Sequence, residues 1–211
     1  MNNQPIHGSL VRPAGWALLC LAVPLVLAGV AEADEWVGAS VVAIESPGGR
    51  FRAVIAPNKA VFTEDSNLIV GYRLAGAILA DRLTGASWRV TLVNSWAPVD
   101  VYLLDDGSLL TFDEWGTMGY ENTVVYYRAS GALAWVRSLD EILPTEVLDR
   151  VPRDLSGRQW RAVGELEILI SSDDQGRALA TVTLWNEDRL TLRLTDGGSW
   201  VVEADAGDEA E

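Results

Sequence analysis

The 211-residue chain holds one Cys and one His, and both fall in the first 20 residues, at Cys20 and His7. If that region is removed on export, the working protein has neither thiol nor imidazole. This excludes a Ser-His-Asp triad, a Cys nucleophile, disulfides and any metal site built from His or Cys. Basic residues are also scarce: 16 stand against 30 acidic ones, for a net charge of −14. Such a balance argues against binding along a phosphate backbone. No phosphate-cradling loop is present either, because Gly48-Gly49 lacks the Lys-Ser/Thr pair that such a loop needs.

Long apolar runs are rare as well. The extended one, residues 17–30, is shorter than the roughly 20 residues a spanning helix needs, and it contains Pro24. Arg12 and the amino terminus precede it, and Ala31-Glu32-Ala33 comes after. A charged start, a short apolar segment and small residues at the cut make a secretory signal over residues 1–33. Gly29-x-Ala31 offers a second position for the cut, and an uncleaved anchor is the competing reading. Lipid attachment at Cys20 is disfavoured by Leu18-Leu19, where small residues would be required. The expectation is an exported protein, periplasmic or extracellular, with no membrane span after cleavage. Removing residues 1–33 leaves 178 residues, takes away Arg12 and Glu32, and so keeps the charge at −14. A chain of that length can bury roughly 70% of its unfolded surface, enough for a core without disulfides.

What is present in abundance is period two. Trp88, Val90 and Leu92 alternate with Arg89 and Thr91. Leu166, Ile168 and Ile170 alternate with Glu165 and Glu167, and Leu190, Leu192 and Leu194 with Arg189, Thr191 and Arg193. Alternation of this sort gives a sheet one core face and one wet face. Thr123–Tyr127 is instead β-branched and aromatic throughout, as in a strand covered on both faces. Turn signals rich in Asp, Asn and Gly divide these runs at 46–49, 84–85, 105–107, 130–131, 173–176, 186–188 and 196–198. The count is about eleven or twelve short strands. Ser138-Leu139-Asp140-Glu141 reads as a capping box, and Pro144 and Pro152 interrupt the next stretch, so one or two short helices are expected near 138–151. The fold class is therefore all-β, an antiparallel sandwich or open propeller-like sheets, in a single domain over 34–203. A closed propeller is disfavoured, since the Asp/Gly turns have no fixed period and the strands suffice for only about three blades. The acidic tail, 204–211, reads as disordered.

Tryptophan is unusually common, at nine residues, and residues 94–137 are dense in aromatic and acidic side chains. Candidate ligand-binding residues are Asp113, Glu114, Trp115, Tyr120, Glu121 and Asn122, placed on a loop joining two hairpin strands, with Trp96 nearby. Aromatic faces there suit sugar rings or apolar peptide, and carboxylates suit hydroxyls or a hard cation. A structural reading competes: Trp and Tyr fill sandwich cores, and loop carboxylates cap backbone groups. Two carboxylates could also serve as the acid and base of a glycosidase if roughly 5–10 Å apart. Asp105-Asp106-Gly107 and Asp173-Asp174 lack the ligand spacing of a calcium loop and read as hairpin turns. Arg150, Arg153, Arg158 and Arg161 read as an ion-pair network neutralised by Asp149, Asp154 and Glu165.

The order Asn94-Ser95-Trp96-Ala97-Pro98-Val99, Asp105-Asp106-Gly107, Thr111-Phe112-Asp113-Glu114-Trp115 and Gly119-Tyr120 resembles a group of exported bacterial proteins of uncharacterised function. Arg153–Trp160 is similar to the group's later Arg/Ser/Trp segment, so the resemblance spans about residues 88–160. In the group a His often comes after the Thr-Phe-Asp-x-Trp segment, and here Gly116-Thr117 stands in its place. The resemblance implies export and β structure and supplies no catalytic residue. The sequence thus points to an exported, non-catalytic binding or interaction module, with no cofactor and no metal, whose partner is a protein or a glycan. The alternative is a carbohydrate-active enzyme using carboxylates near 113–121.

Overall fold

A computed structural model of the chain describes residues 39–62, 69–162 and 168–203. The expected signal segment 1–33, Glu165, Leu166, Glu167 and the acidic tail 204–211 lie outside the described residues. Three four-stranded antiparallel sheets carry the architecture. The first begins with β1 (Val42–Glu45) and β2 (Phe51–Ala56). A small hairpin, β3 (Ala60–Phe62) and β4 (Ile69–Tyr72), is inserted before β5 (Leu74–Asp81) and β6 (Ser87–Ser95) complete the sheet in the order β1-β2-β5-β6. The second is a simple meander of β7 (Pro98–Leu103), β8 (Leu109–Glu114), β9 (Val124–Tyr127) and β10 (Leu133–Arg137). Helices α1 (Leu139–Ile142) and α2 (Thr145–Leu148) and a two-residue ladder, β11 (Arg153–Asp154) with β12 (Gly157–Arg158), lead onward. The third sheet is the meander β13 (Ile168–Ser172), β14 (Ala178–Thr183), β15 (Arg189–Arg193) and β16 (Ser199–Glu203).

The twelve strands of the large sheets match the count expected from the alternating runs. The two small ladders add strands too short to leave a periodic signature. All seven Asp/Asn/Gly turn signals fall between consecutive paired strands. Asp173 illustrates why: its Oδ1 accepts the backbone N–H groups of Gln175 and Arg177, both at 2.9 Å, so the side chain closes the turn. Asp106 does the same for Ser108. At residues 138–141 the Ser138 N–H donates to the Glu141 carboxylate at 2.9 Å, the reciprocal half of a capping box, and starts α1.

The sheets stack as layers around two cores. Phe51, Ala53, Ile55, Ala77, Leu79 and Leu92 of the first sheet meet Leu103, Leu109, Val125 and Tyr127 of the second. On the other face of the second sheet, Leu110, Phe112, Val124 and Tyr126 meet Ala180, Val182, Leu190 and Leu192 of the third, with Trp135, Leu139, Ile142 and Trp160 filling the margin. The middle sheet is therefore covered on both faces, which explains the unbroken apolar run in β9. All four of its residues are buried. The first and third sheets each turn one face inward and one outward.

The β5–β6 turn is held by Asp81, whose carboxylate accepts a fork from Arg50 (Nε at 3.2 Å, Nη2 at 2.8 Å) and the Leu83 N–H at 2.9 Å. These donors, the Arg50 hydrogen bonds first, hold Asp81 well below the usual carboxylate range. A carboxyl that is more acidic in the native state makes the unfolded chain the stronger proton binder, so its contribution is present above its ordinary value of 3.8 and is lost as the pH falls below it. Melting followed by circular dichroism should show the midpoint dropping in acid below about pH 4. Asp81→Asn should lower the midpoint near neutrality and flatten this acid limb, whereas an unchanged limb would mean that other carboxylates carry it.

Candidate functional site

Asp113 and Glu114 lie at the end of strand β8 rather than on a loop, and Trp115, Tyr120, Glu121 and Asn122 come in the connection to β9. This corrects the expectation that all six sit on one loop: the β ladder continues to Glu114, which pairs with Pro98. Trp96 stands at the β6–β7 crossover, where its ring meets Trp115 edge-on with centroids 6.4 Å apart. Both Trp96 and Trp115 are half-buried, while Tyr120 and Glu121 are exposed. The Arg158 guanidinium lies over the Tyr120 ring at 4.9 Å.

Asp113 is fully enclosed and adopts a left-handed backbone, φ 56°. Its Oδ1 accepts the Gly119 N–H at 2.7 Å and the Trp160 indole N–H at 3.0 Å, and its Oδ2 faces Arg161 Nη2 at 3.2 Å. The same guanidinium nitrogen reaches Asp100 Oδ2 at 2.8 Å. Burial pushes the Asp113 carboxyl up, and Arg161, Trp160 and Gly119 pull it back. Both oxygens of this group are engaged by protein donors. The sequence motif that drew attention to Asp113 thus marks an anchor that ties β8 to the segment 158–161.

Glu114 and Asn122 are committed in a similar way. Glu114 Oε1 accepts the Ser95 N–H at 2.8 Å and the Asn122 amide, and its Oε2 accepts from Thr117 at 3.3 Å. Asn94, fully buried, donates to the Asp113 carbonyl at 3.1 Å and accepts from Thr111 at 3.0 Å. Trp96 is held at φ 61°, an unusual conformation for a bulky residue. Its N–H donates to the Arg73 carbonyl at 3.0 Å, and its carbonyl accepts the Asn58 N–H at 2.9 Å. The connection 115–123 is locked to β12: Met118 bonds Ser156 and Arg158 through its backbone at 3.0 and 2.9 Å. A side chain is impossible at that contact, since a Cβ on Gly157 would strike the Met118 backbone.

The arginine network differs from the sequence expectation in its partners. Arg158 pairs with Asp140 at 2.7 Å and Arg161 with Asp100 and Asp113. Asp154 instead accepts from Ser156 and Gln159, and Arg150 donates to the Glu146 carbonyl. Residues 113 and 161 lie too far apart in sequence for their pairing to leave a local pattern. Among the described residues no group of three or more metal-ligating side chains comes together.

Two concavities accompany these elements. A small one of about 200 Å³ lies over Asp100, Asp113, Arg158, Trp160 and Arg161. A larger cleft of about 720 Å³ runs along the first strand of each sheet, with Ile44 and Glu45 of β1, Val101 to Leu103 of β7 and Ile170 to Ser172 of β13 on its walls. Of its charged groups, Glu45 is paired with Arg82 and Arg177 with Asp173 at 2.7 Å, while Asp106 accepts the Ser108 N–H. The Asp105 carboxylate accepts the Gly48 N–H at 2.6 Å. None of these cleft residues is among the sequence candidates. The strands that meet here are more than 50 residues apart in sequence, so no short window contains the site.

If Asp113 is an anchor, its loss must be felt in stability. Asp113→Ala should cost about 3 kcal/mol or more in urea unfolding, because it leaves buried Arg161 without its enclosed partner. Glu121→Ala, at an exposed position, should stay within about 0.5 kcal/mol. Equal, small effects at both positions would remove the anchoring role. No protein-family model, curated protein or solved structure matches the chain.

Proposed function

We propose that the protein is an exported, non-catalytic binding module whose ligand seats in the cleft along β1, β7 and β13. The observation that carries this reading is the cleft itself: about 720 Å³, with mainly apolar walls and with Glu45 and Arg177 each held in an ion pair. A concave, mainly apolar surface of a few hundred Å³ or more is what small-molecule and peptide sites have in common. Each of the three strands is the edge of its sheet, so each has a row of backbone N–H and C=O groups free of sheet pairing among the described residues. A ligand with an apolar body and some backbone-like hydrogen-bonding groups fits that chemistry, as an extended peptide does.

The carbohydrate-enzyme reading is the weaker one. A glycosidase needs one carboxyl free to give a proton and another free to receive water or sugar. Asp113 is enclosed by donors, and Glu114 is held by Ser95, Thr117 and Asn122. The exposed ring of Tyr120 and the Trp96–Trp115 pair flank a surface apart from those residues lining the cleft.

The neutral apolar dye Nile red is a suitable probe. Wild-type protein should raise its emission saturably. Ser172→Trp, which fills the cleft from an exposed position on β13, should abolish the rise without lowering the melting midpoint. Emission that survives Ser172→Trp but is lost in Tyr120→Ala would move the site to the 115–122 connection.

A further inference from the structure

The middle sheet is covered on each face by a neighbouring four-stranded sheet, whereas among the described residues the outer faces of the first and third sheets carry exposed side chains. On the first sheet the register aligns Ala43, Val54, Ile78 and Arg89 across β1, β2, β5 and β6. On the third it aligns Leu169, Thr181, Thr191 and Val201. Large apolar side chains stand in water on both: Ile78 is 46% exposed, Leu169 61% and Val201 58%. On the first face Ile78 stands on an inner strand, and the third projects its exposed apolar groups from the two edge strands.

From this arrangement we infer that two copies of the chain join, the outer face of the first sheet in each packing on the outer face of the third sheet in the other. The stacking that joins the three sheets within one chain would then continue around a closed ring of six. Closed rings of four-stranded sheets run from about four to eight sheets around a central channel. The strands β1, β7 and β13, which line one cleft, are placed as the inner strands of such a ring. A two-fold axis gives both interfaces at once and leaves no sheet face over, so assembly stops at two.

Area agrees with a second copy. Among the described residues the charged groups of the outer faces include Arg52, Arg89 and Glu45 on the first, Glu45 being paired with Arg82, and Arg189, Arg193 and Glu203 on the third. On each face one arginine stands directly across from the glutamate, Arg52 from Glu45 and Arg189 from Glu203. Four strands about 4.8 Å apart and about five residues long present roughly 300 Å² per face. Four such faces total roughly 1,200 Å², the lower end of a stable, specific interface.

The association is independent of what the cleft binds, and its readout is mass rather than dye emission. Full-length protein, analysed by sedimentation equilibrium as it is purified, should weigh twice one chain and should not grow further with concentration. Ile78→Lys and Val201→Lys each place a charge in both interfaces and should weaken association on the order of tenfold or more. Leu169→Lys serves as a second third-sheet variant, and unchanged circular dichroism melts confirm that each variant folds. A monomeric wild type, sensitivity to Ile78→Lys alone, or a mass that rises without limit would each overturn the inference.

Discussion

The pair β8–β9 has no hydrophilic side to offer to water, and the rest of the structure is arranged around that fact. Leu110, Phe112, Val124 and Tyr126 point one way, and Leu109, Val125 and Tyr127 the other, all buried. Each such side chain is worth about 1.5–3 kcal/mol when taken out of water. A sheet with that pattern must be covered twice, so the chain places one sheet before it and one after. The flanking sheets need only one inward face each, which is why they alternate.

Layers held by apolar contact alone could slide, and buried polar groups fix their register. The Tyr127 hydroxyl accepts the Val93 N–H at 2.8 Å across the first interface, and Asn94 reaches the Asp113 carbonyl from the same side. Burial pushes the Tyr127 phenol far above its ordinary value, so it stays a neutral hydrogen-bonding group. Across the second interface Trp135 donates to the Thr195 carbonyl at 2.8 Å. Asp113 joins β8 to Trp160 and Arg161 at the entrance to the third sheet. Such groups are destabilising if left unpaired, so each tolerates only the arrangement that satisfies it.

The same demand for polar partners separates the two concave regions. Around Asp113 the carboxylates, the indole and the guanidinium satisfy one another, and the outcome is rigidity. Along β1, β7 and β13 Glu45 and Arg177 are held in ion pairs and mainly apolar walls leave open space. Asp113, in the first region, holds a left-handed backbone near the end of β8, and Trp96 holds one at the crossover between the first two sheets. There the chain has to leave one layer and enter the next within two residues, Trp96 and Ala97.

Much of the fold is legible in local sequence because its causes are local. Alternation in β6 and β15, the unbroken apolar run of β9, the Asp and Gly turns and the Ser138–Glu141 box each act within a few residues, and each forms as read. The aromatic and acidic segment was also visible, but whether Asp113 is free or enclosed depends on Trp160 and Arg161, almost 50 residues later. The cleft is less visible still, since its walls come from three strand edges that meet only when the sheets stack. By itself the sequence determined the strands, their turns and which of their faces avoid water, through period and turn chemistry. Tertiary structure alone decided which carboxylates are enclosed and where open space is left, because both depend on how distant surfaces meet.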